Sequence, residues 1–151
     1  MDGEPLKRLK REAIAILDTL KPTDSFALVI YGGKKPLDAD VAMRKATADE
    51  LKFARVTISS LTVGEETPLH GALKAAVAFS DTTNRIVLIG DGGATTGPKH
   101  EAIKRDLPSW LAPLQAKGCR FEVLFAASDF EYYDFMRDLA KAASGTFRML
   151  Q

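Results

Sequence analysis

The sequence predicts an α/β fold: a three-layer sandwich with a mostly parallel central sheet and helices on both faces. Three observations carry this expectation. Short continuous apolar runs occur at 25–31, 85–90 and 121–126, each long enough for a strand buried on both faces. Stretches with helical apolar spacing separate them. No repeat, low-complexity tract or linker divides the 151 residues, so one domain is expected. Alternation of this kind builds βαβ units, here in a Rossmann-like arrangement.

Composition narrows the function classes. Lysine and arginine number 21 against 20 acidic residues, a net charge of +1, which excludes a basic nucleic-acid surface. Hydrophobic residues make up 46%, enough for a packed core. Cys119 is the single cysteine, so an intrachain disulfide or a cysteine-rich zinc site is excluded. No apolar run reaches the ~18 residues of a membrane span, and no secretory leader is visible. The expected compartment is therefore the cytosol, although a segment cut from a longer protein would have lost any leader.

The first element is a helix over 6–20. Leu6, Leu9, Ala13, Ile16, Leu17 and Leu20 form its apolar face, and Lys7, Arg8, Lys10 and Arg11 its solvated one. Pro22 ends it. The run 25–31 follows as a buried strand closed by Gly32-Gly33, with an edge strand or hairpin expected around Val41. Thr47 and Glu50 have the capping-box spacing, so a helix runs to about Leu61. Pro68 suits the first turn of the next helix, whose apolar face is Leu69, Ala72, Leu73, Ala76 and Val77.

The strand 85–90 runs straight into Asp91-Gly92-Gly93-Ala94-Thr95-Thr96-Gly97. Residues 98–117 are helical by pattern, and Pro108 and Pro113 predict two pieces or a kink. Gly118 is placed as a C-cap. After the strand 121–126, Ser128 and Glu131 form a second capping-box pattern. Tyr132, Phe135, Met136, Leu139 and Ala143 line the helix it opens. Of the adjacent Tyr132 and Tyr133, one packs and the other is exposed, because neighbours on a helix point about 100° apart. Gly145 ends that helix, and 146–150 is a last short strand.

Ligands of parallel α/β sheets bind beyond the carboxyl ends of the strands. Asp91 stands there. An apolar strand delivers its carboxylate to a glycine-rich loop, which suits a hard cation or a phosphoacceptor, and equally a simple turn aspartate. Gly92 and Gly93 allow close approach of a ligand or backbone. Thr67, before Pro68, is an N-cap or a hydroxyl aimed at a metal or its water. His70 and His100 are the two histidines. His70, close to Thr67, lines the site or packs its helix. Cys119 reads as a small buried hydrophobe and Trp110 as packing. The loop 90–97 lacks the Lys-Ser/Thr of a P-loop, and no Gly-x-Ser-x-Gly elbow occurs.

The segment 15–31, then Thr67-Pro68-Leu69-His70-Gly71-Ala72-Leu73, then Ile86-Val87-Leu88-Ile89-Gly90-Asp91-Gly92, followed by 121–125 and 139–147, resembles a von Willebrand factor type A domain over essentially the whole chain. The resemblance implies a non-enzymatic protein-binding module with a metal-ion-dependent adhesion site. In that family magnesium is held by an Asp-x-Ser-x-Ser motif, by a threonine matched by Thr67 and by an aspartate matched by Asp91. A carboxylate of the protein partner completes the coordination.

The Asp-x-Ser-x-Ser motif is absent here, and Asp2 does not replace it. The resemblance therefore implies one domain over 1–151 that starts past the metal loop and lacks its first, central strand. It also implies weak or no magnesium binding by this chain alone. The expected partner face comprises Thr67, His70, Asp91, Gly92, Gly93 and the loops 32–36 and 92–97. The strands 25–31 and 85–90 would lose their shared neighbour. The chain then belongs to a longer protein, accepts a strand from a partner, or pairs those two strands directly. Two other readings stand beside this one. The first is a Rossmann-like phosphoacceptor or metal-dependent hydrolase using Asp91, with Asp129 as a further acid. The second is a degenerate domain without a metal site that self-associates through its exposed strands.

Overall fold

The computed structural model describes residues 3–39 and 43–151. In chain order the elements are α1 (Glu4–Asp18), β1 (Ser25–Phe26), β2 (Ile30–Tyr31), β3 (Leu37–Asp38), β4 (Arg44–Lys45), α2 (Ala48–Ser59), α3 (Leu69–Ala78), β5 (Arg85–Gly90), α4 (His100–Gln115), β6 (Arg120–Phe125), α5 (Tyr133–Ala142) and β7 (Thr146–Met149).

β5, β6 and β7 form a parallel sheet in that order. The register sets Ile86 opposite Phe121 and Leu88 opposite Val123. Side chains alternate between the two faces, as strand geometry requires. Ile86, Leu88, Phe121, Val123 and Phe125 meet Leu69 and Leu73 of α3, Ile103, Leu107 and Leu111 of α4, and Met136 and Leu139 of α5. Val87, Ile89, Leu124, Ala126 and Leu150 meet Leu9 and Ile16 of α1 on the other face. A third cluster, Leu17, Ala54 and Ile58, joins α1 to α2. The expected helix–sheet–helix layering is present. Each fully buried Phe or Leu contributes about 1.5–3 kcal/mol to it.

The helix ends show which local signals acted. Thr47 caps α2, its Oγ1 accepting from the Glu50 N–H at 3.4 Å. The Glu50 carboxylate turns to Arg44 at 3.0 Å instead of completing the box. Pro68 is the N-cap of α3 and not its first turn. The Ser128/Glu131 pattern caps nothing. α5 begins at Tyr133, and Asp129 Oδ1 accepts from the Glu131 N–H at 3.1 Å in a local turn that takes over its role. α4 is one helix through Pro108 and Pro113. Each proline removes one N–H, and the buried row Ile103, Leu107, Leu111 and Leu114 holds the helix to the sheet across those gaps. Ala116, not Gly118, is the C-cap of α4, and Gly118, at φ +92°, closes the turn two residues further on. Tyr132 and Tyr133 both pack, Tyr132 on His100 and Tyr133 on Phe125 and Phe147.

The run 25–31 corrects the sequence reading most. It is not a strand of the parallel sheet. β1 pairs antiparallel with β4, and β2 with β3, in two short ladders on one edge of the run. A buried parallel strand needs a neighbour on each edge. Among the described residues the other edge of 25–31 has none, and neither does the edge of β5 facing it. The two do not close up and pair directly. A cavity of about 420 Å³ separates them, lined by 27–33 and 86–91 together with residues of α1 and α3. Val41 and Asp2 lie outside the described residues. Among the described residues no helix is long and apolar enough to cross a membrane.

Candidate functional site

Three loops meet at the carboxyl end of β5. The first carries Asp91. Its Oδ1 accepts from the Gly93 N–H at 2.9 Å, an Asx turn that fixes the carboxylate over its own loop. Gly92 has φ +85°, and a Cβ there would stand 2.7 Å from Met136 Cγ and 2.8 Å from Tyr132 Cβ. Only glycine allows both the backbone turn and the approach of α5. The Gly92 carbonyl lies 2.8 Å from His100 Nε2, whose ring packs against Phe135 at 4.2 Å between centroids. With a carbonyl as acceptor, Nε2 is the protonated nitrogen.

The second loop brings Thr67. Its N–H donates to Thr95 Oγ1 at 2.7 Å, and the Thr95 N–H donates back to the Thr67 carbonyl at 3.1 Å. The loop before α3 is thereby tied to the loop after β5. Lys99 Nζ donates to the Thr95 carbonyl and closes the far side. The third loop is Gly32-Gly33. Gly32 has φ +71° and presents its Cα side to Thr67, whose Oγ1 would lie 3.5 Å from a Cβ there. The Gly64 N–H donates to the Gly32 carbonyl at 2.8 Å, joining the loop between α2 and α3 to the loop after β2. Tyr31 reaches over the cavity, its Oη donating to the Ile89 carbonyl at 3.3 Å. Burial, and then the Asp91 charge, push the Tyr31 phenol well above its ordinary range, so it stays a neutral donor.

Asp91 also lines a second cavity of about 190 Å³, with Ala127, Ser128, Asp129, Glu131 and Tyr132. The Tyr132 phenol is raised chiefly by its hydrogen bond to Glu131, then by burial and neighbouring carboxylates including Asp91. Gly92 and Gly93 are buried, so they shape the site through backbone alone. His70 sits elsewhere. Its Nε2 is 2.8 Å from Asp106 Oδ2 and its ring meets Trp110 edge-on at 4.9 Å, in the contact between α3 and α4. Arg105 and then His70 hold the Asp106 carboxyl down at about 2.

The donor set can be tested against a divalent cation. Magnesium wants near-octahedral oxygen ligands with one or more carboxylates. On the Thr67 side of the sheet end the carboxylate at the end of β5 is Asp91, already accepting from Gly93, while Asp129 and Glu131 line its other cavity. No group of three His, Cys, Asp or Glu that could hold a metal occurs among the described residues. This set does not fit a resident magnesium ion.

No protein-family model matches the chain. A solved von Willebrand factor type A protein from Catenulispora acidiphila superposes on 97% of this chain and 34% of its own, with a TM-score of 0.69 and 19% identity. The chain has the von Willebrand factor type A fold. Inter-alpha-trypsin inhibitor heavy chain H1 of Sus scrofa is 27% identical over 108 residues, 64% of this chain. The match spans 12% of that protein's length.

Thr67 and Asp91 lie on neighbouring loops at one end of the sheet, both lining the cavity beside β5. Three residues of the site were not singled out from sequence. Thr95 was visible only as one hydroxyl of a polar loop, its partner lying 28 residues away. Tyr31 looked like the end of a strand. His100 was noted only as one of the two histidines.

Proposed function

We propose that this chain is a non-enzymatic protein-binding module of the type A fold. Its partner contacts the sheet end that carries Thr67, Asp91 and the loops 32–36 and 92–97. The clasp between Thr67 and Thr95 carries the reading, because it holds two loops of different origin in one rigid face. Preorganised loops lose little entropy on binding. His70 supports this face from behind by fixing the first turn of α3 to α4.

For this chain alone we propose weak or no magnesium binding. A partner carboxylate, the ligand the family resemblance suggests, would meet Asp91 without a cation between them, and like charges repel. Hydrogen bonds from Thr67, Thr95 and the loop backbone therefore carry recognition. Titration calorimetry of the chain with magnesium chloride tests the metal statement. The expected result is no saturable heat, and saturable binding that Asp91→Ala abolishes would overturn it. Affinity capture with wild-type chain, Thr67→Ala and Asp91→Ala tests the face. A bound protein retained by the wild type and lost by both variants, at unchanged folding, is expected. Equal retention by all three would remove the face from the contact.

One observation favours a phosphoacceptor reading: Asp91 and Asp129 line the same small cavity. Incubation with acetyl phosphate followed by mass spectrometry separates the readings, and modification at Asp91 would select this second one.

A further inference from the structure

The outer edge of β7 has no strand neighbour among the described residues. The Leu150 N–H donates to the Phe125 carbonyl, so the even-numbered residues here bond inward to β6. In a parallel ladder both backbone groups of a residue turn to the same neighbour. Phe147 and Met149 therefore turn their N–H and C=O groups outward, where no backbone group of the described residues meets them. The two sides of this edge differ in chemistry. On the α5 side Met149 is 42% exposed, on the same face as Phe147. Tyr133 meets Phe147 edge-on at 5.2 Å and Phe130 at 5.5 Å, and Phe130 is 65% exposed. Arg137, above the Tyr133 ring, is paired with Asp134 and Asp138. On the α1 side stand Arg85, Arg120 and Arg148 of the sheet, and Arg11 of α1 on the Gln151 carbonyl at 2.9 Å. Glu122 takes Arg85 and Glu12 takes Arg148, so this side keeps an excess of positive charge. Arg85 first, and then the Arg120 and Arg148 charges, hold the Glu122 carboxyl below its usual range.

We propose that the outer edge of β7 docks an extended segment of a partner polypeptide whose side chains alternate, apolar toward Phe147 and Met149 and acidic toward Arg148. The outward N–H and C=O groups demand a backbone, and the four residues of β7 set the length of the ladder. Met149, Phe147 and the ring row out to Phe130 bury apolar side chains. The excess guanidinium charge on the α1 side takes carboxylates. A charged residue on an edge strand ordinarily discourages pairing. Here Glu12 of α1 holds Arg148 over the face of the sheet, so the edge itself stays open. A second copy pairing through this edge would bring its own Arg148, Arg120 and Arg11 to the same place, like charge against like. The occupant is therefore a different chain, docked by strand addition. The proposal stands apart from the loop face above, because it uses neither Thr67 nor Asp91.

The probe is a capped synthetic peptide, Glu-Val-Glu-Ile-Glu-Val-Glu, read by fluorescence anisotropy and amide hydrogen exchange on the full chain. One control carries lysine for every glutamate. Two others are N-methylated, one at the apolar residues and one at the glutamates. Addition to an edge uses one side of the peptide backbone, so a single methylated peptide loses its ladder. Expected are saturable binding of the probe and new exchange protection at Phe147 and Met149. The lysine peptide and one methylated peptide should each bind at least about tenfold more weakly, the scale of one or two lost bonds. Met149→Pro removes an outward donor at an edge position, where proline is tolerated, and should weaken binding by a similar factor. Arg120→Glu, on the exposed charge, should weaken it without touching the edge backbone. Equal affinity of the two methylated peptides, or of the lysine peptide and the probe, would overturn the proposal. Protection at Val87 and Ile89 in place of Phe147 and Met149 would overturn it in favour of the cavity beside β5. A concentration-dependent dimer by light scattering, with Phe147 and Met149 protected in it, would overturn it in favour of a second copy. Absence of probe binding to folded wild-type chain would also overturn it.

Discussion

Thr95 and Thr67 hold each other twice: the Thr67 N–H donates to Thr95 Oγ1 at 2.7 Å, and the Thr95 N–H donates to the Thr67 carbonyl at 3.1 Å. One bond needs the hydroxyl and the other does not, so substitution can separate them. Thr95→Val keeps the backbone bond and leaves the Thr67 N–H without its side-chain acceptor. A loss of about 1 kcal/mol is expected. In a chain of this size that lowers the melting temperature by about 2–4 °C. Calorimetric melting of the two proteins checks it, and an unchanged melting temperature would mean that water replaces the hydroxyl at no cost.

Gly92→Ala should be costlier. The backbone there has φ +85°, and the added methyl would stand 2.7–2.8 Å from Met136 and Tyr132 at the start of α5. Left-handed strain and overpacking together come to about 3 kcal/mol. Gly97, also at positive φ (+72°), has nothing within 4 Å of such a methyl. Gly97→Ala therefore pays the strain without the clash. Urea unfolding of both variants should rank Gly92→Ala well below Gly97→Ala.

Asp106 predicts a feature of acid unfolding. Arg105, and then His70, hold its carboxyl at about 2 against an ordinary 3.8. The unfolded chain binds this proton first as pH falls. The stabilisation is complete above about pH 4 and is lost as pH falls through about 2. Asp106→Asn removes a titrating group from that window. Between pH 4 and 2 its urea midpoint should fall less steeply than that of the wild type, as measured by denaturant titration at successive pH values. Parallel curves would show that the ion pair contributes nothing.

Pro108 lies inside α4, where it lacks the N–H that would reach the preceding turn. Pro108→Ala restores a donor and removes the ring clash, and the site is only half-buried. The full helix-interior penalty of proline is about 3 kcal/mol, part of which the helix has already relaxed. A gain of about 1 kcal/mol or more in unfolding free energy is expected. A loss would show that α4 needs its proline-shaped geometry to lie on the sheet.

Much of the site was legible along the chain. Asp91 at the end of an apolar strand, before two glycines, announces itself because strand, carboxylate and turn are contiguous. Thr67 is found from a threonine beside a proline at a helix start. The convergence of these two is not local, since it rests on Thr95 and on Gly32 and Gly64 approaching through backbone. Similarly, the Ser128/Glu131 spacing matched a capping box, yet Asp129 took the nearby N–H first.

Local chemistry by itself determined the helices, the parallel strands β5 to β7 and the near-neutral, single-cysteine character of the chain. Apolar spacing, turn residues and charge count need no partner in space. Only the tertiary structure decided the fate of 25–31. The run is as apolar as 85–90, but a strand exists through the neighbours that satisfy its backbone. Here 37–45 supplies one edge, and the other faces an apolar slot across from β5.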